Sequence, residues 1–386
     1  MRVSHIRASN WRNFKQLDVA IGDRLFVVGP NASGKSNFLD LFRFLGDVAA
    51  GSGGGLTSAV EKRGGLSKVR SLFARNHQGG RLVVDVELQD GDVTWRYLLK
   101  VRGEKGGRNR PVVDEEIVER NGLVILKRPD EDDQQDRERL TQTHLEQIGA
   151  NQQFRALAEY FGRVRYFNLV PQVIRDQLTL GSAGTDLYGS AFIAEINALP
   201  SKTQAARLRR IQEALQSAVP YFESLKLEVD PAGRPHLVAG YRNWRDTLAR
   251  QSEAEFSDGT LRLIGLLWTL VSAPTTGGIL LLEEPELSLN SAIVRTLPSV
   301  LAMAQRDRST QMVLSTHAPE LLDDEGVLPN EILVLRVTKD GTSATLLSEI
   351  ADVADELAAE LPTSEIVDGL ISPQDLSGLV KTVAAR

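Results

Sequence analysis

The chain has 386 residues, of which 42% are apolar and 25% are charged. This composition is ordinary for a globular protein and excludes a wholly disordered chain. The absence of cysteine excludes a disulfide scaffold, a thiolate metal site and a cysteine nucleophile. A formal net charge of −6 argues against a uniformly basic nucleic-acid surface. The longest apolar stretch, Leu263–Ala273, is too short to span a bilayer, so we expect a cytoplasmic protein without membrane contact.

The N-terminal segment is predicted to contain two strands and a helix. Val3–Ala8 and the aliphatic run Leu25–Val28 have strand patterns, and the second reads as a buried strand. From Ser36 onward, apolar residues recur at helical spacing. Gly46 is the predicted end of that helix, and a flexible glycine-rich loop follows at residues 51–55.

Antiparallel strands are predicted for residues 81–127. Asp90-Gly91 and Asn121-Gly122 are strong hairpin turns, and each separates two strand-like segments. The highly charged residues 129–139 are expected to form a solvated linker or the start of a helix, and residues 140–148 have a helical pattern.

The rest of the chain alternates between helical and strand patterns, which indicates an α/β protein. We expect helices at Phe154–Phe161, over most of residues 186–218, and at Thr260–Val271, Ala292–Ala304 and Asp352–Glu360. We expect strands at Arg163–Leu169, Leu225–Val229, His236–Tyr241, Ile279–Leu282 and Gln311–Ser315, and a hairpin of Ile332–Val337 with Thr342–Leu347.

A phosphate-binding motif follows the second strand. The pattern G-x-x-x-x-G-K-[ST] is matched in full by Gly29, Pro30, Asn31, Ala32, Ser33, Gly34, Lys35 and Ser36. The glycines let backbone N–H groups surround a phosphate, Lys35 adds positive charge, and Ser36 offers a hydroxyl to Mg²⁺. The alternative is a Gly/Ser turn that only resembles the motif. The motif alone does not choose between ATP and GTP.

An acidic cluster follows a buried strand, where Ile279–Leu282 leads into Glu283, Glu284, Pro285 and Glu286. Parallel strands deliver their carboxyl ends to the active site in doubly wound sheets. Glu283 is therefore a candidate for the Mg²⁺ shell, and Glu284 a candidate to orient or deprotonate the attacking water. The alternative is an acidic cluster that stabilises a helix start.

Two further motifs flank this strand. His317 follows the strand Gln311–Ser315, where an imidazole can contact a γ-phosphate or position water. Ser257, Asp258 and Gly259 precede the helix Thr260–Val271. They could be a plain N-cap, but a capped helix start is also an anion site, and it need not serve its own chain's nucleotide.

The order of these motifs resembles that in the ABC-type ATPase heads of the RecF, SMC and Rad50 group. It is most similar to bacterial RecF-like ATPases of the AAA15 or AAA_21 type, relatives of the ATPase half of OLD nucleases. The likeness includes Asn10–Lys15, Phe256–Arg262, Glu283–Glu286 and Ser315–Leu322. It implies an α/β P-loop NTPase fold, an ABC-ATPase head with a mixed-sheet lobe and a helical insert lobe. Residues 1–175 and 257–386 would form the first lobe, and residues 176–256 the insert.

The resemblance also implies roles for individual residues. The ATP phosphates would be bound by Gly29, Asn31, Ala32, Ser33, Gly34, Lys35 and Ser36, with Arg12 and Asn13 near the base. Ser36 and Glu283 would hold Mg²⁺, Glu284 would be the catalytic carboxylate and His317 the γ-phosphate sensor. Ser257, Asp258 and Gly259 would complete the nucleotide site of a second, head-to-tail subunit. Gln172 is the candidate Q-loop glutamine and metal ligand, with Gln152, Gln153 and Gln177 as competitors.

Three positions depart from the pattern of the related heads. Glu283 stands in place of the usual aspartate, Asp258 occupies a glycine position of the signature, and Asn290 replaces an aspartate of transporter-type heads. Asparagine keeps hydrogen bonding but loses charge, so the contact across the dimer is expected to differ there.

The same comparison leads to a function. We expect Mg²⁺-dependent ATP binding and hydrolysis by heads that sandwich ATP in a homodimer, acting in DNA repair or phage defence. The alternative is a slow or non-hydrolysing nucleotide-gated scaffold that controls a partner toxin or nuclease. Sustained heptads between Ser36 and Ser257 are lacking, so long SMC arms are not expected. The 69 residues after His317 are too few for an OLD-type nuclease domain, so a nuclease or toxin effector would be a separate partner.

A basic run raises DNA as a second candidate partner. Lys100, Arg102, Lys105, Arg108 and Arg110 lie close together with a single acid, Glu104. Such a loop could follow a phosphate backbone. The alternative, which we favour, is a solvated hairpin tip.

Overall fold

The computed structural model describes all residues except 52, 72, 74–79, 105–109, 176–188, 190–191, 245–246, 274–276, 307 and 373–386. The strands are β1 (Arg2–Trp11), β2 (Phe14–Ala20), β3 (Arg24–Val28), β4 (Leu82–Asp90), β5 (Val93–Gly103), β6 (Pro111–Arg120), β7 (Leu123–Arg128), β8 (Arg165–Phe167), β9 (Phe222–Val229), β10 (Pro235–Tyr241), β11 (Ala249–Ser252), β12 (Gly278–Glu283), β13 (Thr310–Ser315), β14 (Ile332–Thr338) and β15 (Gly341–Leu346). The helices are α1 (Lys35–Ala49), α2 (Gly55–Glu61), α3 (Leu66–Val69), α4 (Glu131–Gln135), α5 (Arg155–Phe161), α6 (Pro171–Arg175), α7 (Phe192–Asn197), α8 (Ser201–Ala218), α9 (Asp258–Ser272), α10 (Ser291–Gln305), α11 (Ala354–Ala358) and α12 (Thr363–Ile371).

An antiparallel sheet has the strand order β2-β1-β4-β5-β6-β7. Both hairpins predicted within residues 81–127 are confirmed, because β4 pairs with β5 up to Asp90 opposite Val93, and β6 pairs with β7 up to Arg120 opposite Leu123. Asn121-Gly122 is the two-residue connection of the second hairpin, as predicted. The connection of the first is Gly91-Asp92, one residue later than the predicted Asp90-Gly91.

The second sheet has the order β15-β14-β3-β13-β12-β8. Strands β14, β3, β13, β12 and β8 run parallel, and only β15 is antiparallel to its neighbour. The register places Glu283, the last residue of β12, opposite Ser315, the last residue of β13. Because parallel strands end at one edge, the segments that follow β3, β12 and β13 meet there.

Alternate residues of these parallel strands face two different cores. Val27, Leu281 and Val313 are buried with the antiparallel sheet and α1. Phe26 and Leu282 are buried in the second cluster, with α8, α9 and α10. Burial on both faces explains why β3 and β12 read as continuous aliphatic runs.

The predicted insert is mixed rather than helical. Within residues 176–256 the described part contains α7, α8 and a three-stranded antiparallel sheet of order β11-β10-β9. Its apolar side chains, including Ile196, Leu208 and Phe222, share the second core with Phe26 and Leu280. The insert therefore packs directly on one face of the parallel sheet. The domain boundaries given above remain predictions.

Two local predictions are wrong. Helix α1 does not end at Gly46 but continues to Ala49; a Cβ at Gly46 would lie 3.1 Å from the carbonyl oxygen of Phe161, so the glycine permits close packing. Residues 140–148 are not an α-helix, because the 3-10 helix Arg137–Thr141 ends there and bends and turns follow. Of the two alternatives for residues 129–139, the helix start is confirmed by α4, and the solvated linker is not, since Asp133 is buried. The predicted helix Asp352–Glu360 is shorter, since only α11 is α-helical there.

No helix in the described part of the chain combines the length and apolar composition that a membrane crossing requires.

Candidate functional site

The phosphate loop connects β3 to α1 at the carboxyl edge of the parallel sheet. Its two glycines have no room for a side chain. A Cβ at Gly29 would lie 2.7 Å from Ser33 Oγ, and one at Gly34 would lie 2.1 Å from the side-chain nitrogen of Asn13. Gly34 also has a φ of 102°, which disfavours other residues. The loop is therefore built for close approach of backbone, as a phosphate cradle requires.

Lys35 is buried at the first position of α1. Its Nζ donates to the carbonyl oxygens of Gly29 at 2.8 Å and Pro30 at 3.2 Å. Burial lowers the pKa of Lys35, while the nearby carboxylates Glu284, Glu286 and Glu283 oppose that shift. The ammonium is thus held inside the loop by neutral acceptors that an anionic ligand can replace.

Asn13 supports the loop from the turn between β1 and β2. Its Nδ2 donates to Ser33 O at 2.6 Å and to Thr342 Oγ1 at 2.5 Å, and its Oδ1 accepts from Asn37. The neighbouring Arg12 donates to Asp40 at 3.2 Å. The structure therefore joins Asn13 to the phosphate loop and Arg12 to α1.

Glu283 and Ser36 are in direct contact at the end of β12. Oε1 of Glu283 accepts from the Ser36 hydroxyl, and Oε2 accepts from the Tyr166 hydroxyl. Burial raises the pKa of Glu283, and the bond from Ser36 opposes this. The guanidinium of Arg43 lies over the Tyr166 ring, 4.3 Å from its centre.

Sequence reasoning missed Tyr166, although it lies in a predicted strand. Strand β8 pairs with β12 so that Phe167 is opposite Leu282, which brings the end of β8 beside Glu283. The neighbouring Asn168 donates to the Tyr166 hydroxyl at 3.3 Å. No local sequence signal indicates this contact, because Tyr166 lies in the middle of its strand and the pairing of β8 with β12 joins distant segments.

Glu284 and His317 face each other across the ends of β12 and β13. Nε2 of His317 lies 3.2 Å from Oε1 of Glu284, and the backbone N–H of Glu284 donates to Ser315 O at 3.0 Å. Glu284 has a φ of 44°, an uncommon conformation for glutamate. Burial and the charge of Lys35 lower the pKa of His317, while Glu284 opposes them. A neutral imidazole is therefore favoured beside the carboxylate near pH 7.

Glu286 accepts hydrogen bonds from the segment after β13 that carries His317. One carboxylate oxygen accepts from Thr316 Oγ1 at 2.7 Å and from the His317 backbone N–H at 2.9 Å. The other oxygen has no hydrogen-bond partner among the described residues, and neither does the buried hydroxyl of Ser33. Burial raises the pKa of Glu286. Unpaired buried polar atoms of this kind are typical of ligand sites.

The Ser-Asp-Gly motif begins α9. Ser257 is the N-cap, and its Oγ accepts from the Thr260 N–H at 3.1 Å. A Cβ at Gly259 would lie 2.4 Å from Ser288 O, so the helix start packs against the loop that follows Glu286. Ser257 is exposed. The plain N-cap geometry is present, and the helix start faces outward.

Gln172 is placed beside this motif. Its Nε2 lies 3.4 Å from Asp258 Oδ2, and Arg175, on the same helix α6, donates to Asp258 Oδ1 at 2.6 Å. Among the contacts of the described residues, Gln172 reaches Asp258 and not Ser36 or Glu283. This placement does not support its predicted role as a metal ligand. Gln152 and Gln153 are exposed in a turn before α5, and Gln177 lies outside the described residues.

The basic run is largely paired with acids. Lys100 lies 2.6 Å from Glu115, Arg102 lies 2.9 Å from Asp114, and Arg110 lies 2.8 Å from Glu104. Lys105 and Arg108 lie outside the described residues. These ion pairs favour a solvated hairpin tip over a DNA-binding loop for this basic segment.

The oxygen atoms at the sheet edge suit Mg²⁺ with ATP. A hydroxyl and a carboxylate, from Ser36 and Glu283, are hard ligands, and Mg²⁺ commonly takes only one or two protein ligands beside substrate phosphates. No cluster of three or more candidate His, Asp or Glu ligands exists within the described part of the chain, so a dedicated all-protein metal cage is not found there. The glycine cradle and the unpaired buried hydroxyl of Ser33, which can donate a hydrogen bond, fit a bound phosphate group.

Comparison with protein families identifies the family of this chain. Residues 25–323 match the family model AAA_21, described as "AAA domain, putative AbiEii toxin, Type IV TA system", and the chain belongs to that family. Its fold is that of an SMC/RecF-like ABC-type ATPase head. No curated protein matches the chain.

Two solved SMC heads are similar in structure. One, "Crystal structure of the SmcHead bound to the C-winged helix domain of ScpA", has a TM-score of 0.53 and 14% identity, and the match covers 89% of this chain and 98% of that one. The other, an SMC head domain from Thermotoga maritima, has a TM-score of 0.47 and 14% identity, covering 90% and 99%. At this identity the first likeness shows a shared fold.

Proposed function

We propose that the protein binds ATP with Mg²⁺, hydrolyses it, and forms a homodimer with ATP between two heads. The observation that carries this proposal is the meeting of Lys35, Glu283, Glu284 and His317 at one edge of the parallel sheet, with His317 Nε2 3.2 Å from Glu284. Each group is of the type that phosphoryl transfer to water requires.

Binding rests on the phosphate loop. The backbone N–H groups between Gly29 and Gly34 surround the phosphates, and Lys35 exchanges its two carbonyl acceptors for phosphate oxygens. Ser36 and Glu283 hold Mg²⁺. When bound, the metal neutralises phosphate charge and orients the transferred group.

Hydrolysis rests on Glu284. Its carboxylate accepts the proton of the attacking water or orients that water. His317, held by Glu286 through its backbone N–H, contacts the γ-phosphate and keeps Glu284 in place. Arg12 and Asn13 remain the proposed neighbours of the base.

The second head contributes through α9. Ser257 and Gly259 lie at an outward-facing helix start, where backbone N–H groups and the helix dipole favour an anion. In the proposed dimer this end contacts the γ-phosphate bound to the other copy. The ATP-dependent dimer is proposed to act on DNA or on a separate nuclease or toxin effector, in DNA repair or phage defence.

A second candidate function is a slow or non-hydrolysing nucleotide switch that controls a partner toxin. The toxin–antitoxin wording of the family description favours it. Turnover measured with and without DNA separates the two functions, because a switch of this kind would bind ATP and dimerise without appreciable hydrolysis.

The test is Glu284→Gln, which keeps shape and hydrogen bonding but removes the negative charge. Hydrolysis should fall by about 10²–10⁴, the usual effect of a positioned base, while ATP binding persists because Lys35 and Ser36 are unchanged. The uncleaved nucleotide should then hold the variant as a dimer, seen by light scattering with Mg·ATP. Glu349→Gln, at an exposed glutamate after β15, is the matched control and should behave as the parent.

Two results would contradict the proposal in different places. Undiminished hydrolysis in Glu284→Gln would move the catalytic role to another carboxylate or to His317. A monomer with and without Mg·ATP would reject the two-headed site, while leaving nucleotide binding by one head intact.

A further inference from the structure

The proposed dimer creates an electrostatic problem at Asp258. This residue lies between Ser257 and Gly259, at the helix end that would meet the γ-phosphate of the other copy. A carboxylate repels a nearby phosphate, and the related signature has glycine at the position of Asp258. An acidic signature therefore needs a compensating positive charge to receive an anion.

Arg175 supplies that charge. One of its terminal nitrogens lies 2.6 Å from Asp258 Oδ1 and 2.7 Å from the carbonyl oxygen of Phe256. The arginine thus neutralises Asp258 and also fixes the backbone immediately before the N-cap. Its Nε is buried without a hydrogen-bond partner among the described residues. The Arg175 and Asp258 side chains stay partly exposed, at 26% and 41%, so the pair lies at the surface where a second copy would dock.

A second arginine lies one turn further along α9. Arg262 is 8% exposed, and among the described residues it has no hydrogen bond or ion pair of its own. Burial lowers its pKa, and the carboxylates that oppose this are Asp258, Glu284 and Glu286. With Asp258 paired to Arg175, the carboxylates that still act on Arg262 are Glu284 and Glu286.

We infer that Arg175 is a positioning residue of the composite site: by neutralising Asp258 it allows the Ser257 end of α9 to receive the γ-phosphate of ATP held by a second copy of the chain. This inference rests on the proposed dimer. It explains how a signature with Asp258 in a glycine position can work. The same pair also makes Asp258 and Arg175 dependent on each other, which a double substitution can measure.

The experiment uses the full chain with Glu284→Gln as parent, and the dimerisation constant is measured by sedimentation equilibrium with Mg·ATP. Arg175→Gln should weaken the ATP-dependent dimer at least about ten-fold, because Asp258 then faces the phosphate unpaired. Monomer affinity for ATP should not change, since each head's own phosphate loop is intact. Adding Asp258→Asn to Arg175→Gln should return the dimerisation constant to within about three-fold of the parent.

Two further variants sharpen the result. Asp258→Asn with Arg175 retained should dimerise more tightly than the parent, and it tests the inference even if Arg175→Gln does not fold. Arg234→Gln breaks an exposed ion pair with Asp230 in the turn between β9 and β10, and it should have no effect.

The outcomes separate the inference from the proposed function. If the parent dimerises and Arg175→Gln dimerises equally well, the inference is overturned and the dimer stands. If Arg175→Gln dimerises weakly and adding Asp258→Asn does not restore dimerisation, Arg175 acts only by fixing the backbone at the helix start, and the charge-neutralisation inference is rejected. If the parent itself never dimerises with Mg·ATP, the proposed dimer and the inference are both rejected.

Discussion

Two clusters of charged side chains, one wholly buried and one partly exposed, differ in how their members are hydrogen-bonded and paired. The hairpin cluster consists of Glu116, Arg128 and Asp133, behind β6 and β7. The sheet-edge cluster consists of Lys35, Glu283, Glu284 and Glu286, at the carboxyl ends of β3 and β12. In the hairpin cluster the charged groups pair with one another, and in the sheet-edge cluster they do not.

In the hairpin cluster every charge has a partner. Arg128 has no exposed surface and donates to Glu116 at 3.2 Å and to Asp133 at 2.7 Å. Glu116 also accepts the backbone N–H groups of His144 and Leu145. Burial alone would raise the pKa of Asp133, but the hydrogen bonds from Arg128, the Asp130 backbone and Arg139, together with the charge of Arg128, outweigh burial and lower that pKa. Such a cluster fixes one local conformation.

In the sheet-edge cluster the charges are close but do not satisfy one another. Within the described residues, Lys35 donates to carbonyl oxygens and to no carboxylate, and one oxygen of Glu286 has no partner. Burial raises the pKa of Glu286 and lowers that of Lys35. We infer from this difference that a buried charged group without a full set of partners in the fold indicates a ligand site. A buried charged group with all its partners indicates a structural role.

The largest expected effect is on stability at the hairpin cluster. Arg128→Met removes the cation and leaves Glu116 and Asp133 buried and unpaired, which should cost about 3–5 kcal/mol in the free energy of unfolding. Urea denaturation measures it. Arg2→Met, which removes an exposed pair with Asp23, is the control and should cost about 1 kcal/mol or less. Equal costs for the two variants would show that the hairpin cluster has no special structural role.

Substitution in the sheet-edge cluster should change ligand binding rather than stability. Lys35→Ala should weaken ATP binding about a hundred-fold or more, because the main side-chain charge on the phosphates is lost. The thermal midpoint should change little, since no carboxylate depends on Lys35 for a hydrogen bond. Calorimetric titration and melting of the same preparation measure both quantities. Lys62→Ala, at an exposed pair with Asp47, should leave ATP affinity unchanged. Unaltered ATP affinity in Lys35→Ala would reject the phosphate-loop assignment.

The sequence predicted most of the sheet-edge cluster because its residues form local motifs. The eight residues from Gly29 to Ser36 are contiguous, and Glu283, Glu284 and His317 each follow a recognisable aliphatic strand. What a single element determines, such as the strand before the loop or the two hairpins, was predictable from periodicity and turn residues.

The remaining features depend on pairing between distant segments. Asp133 lies in a stretch expected to be a solvated linker or the start of a helix, because charged residues are usually exposed. Its burial with Arg128 and Glu116 depends on the register of β6 with β7 and on the path of the chain after β7. Arg175 meets Asp258 because α6 packs beside α9, which no local pattern indicates. The resemblance implied Gln172 as the Q-loop glutamine and a metal ligand, yet on α6 its Nε2 lies 3.4 Å from Asp258 Oδ2.

The smallest expected effect concerns Tyr166. Its hydroxyl and that of Ser36 each donate to one carboxylate oxygen of Glu283 at the sheet edge. Tyr166→Phe removes the donor to Oε2 of Glu283 and keeps the ring under Arg43. Glu283 then loses one of the two contacts that orient it toward the proposed Mg²⁺ position, while the phosphate loop is unchanged. The Mg²⁺ concentration that half-maximally tightens ATP binding should rise about ten-fold, the lower end of the effect of such outer partners on metal affinity.

The measurement is a titration of ATP affinity with Mg²⁺, followed by fluorescence of a bound nucleotide analogue rather than by turnover. ATP affinity without Mg²⁺ should equal that of the parent, because Tyr166 reaches the nucleotide only through Glu283. Tyr160→Phe is the matched control: its hydroxyl is bonded to Val3 N and Gln311, so it removes a buried hydroxyl without contact to the site. A shift of equal size in Tyr160→Phe would mean that general loosening of the fold, and not orientation of Glu283, sets the metal requirement. An unshifted midpoint in Tyr166→Phe would leave Ser36 alone to orient the carboxylate.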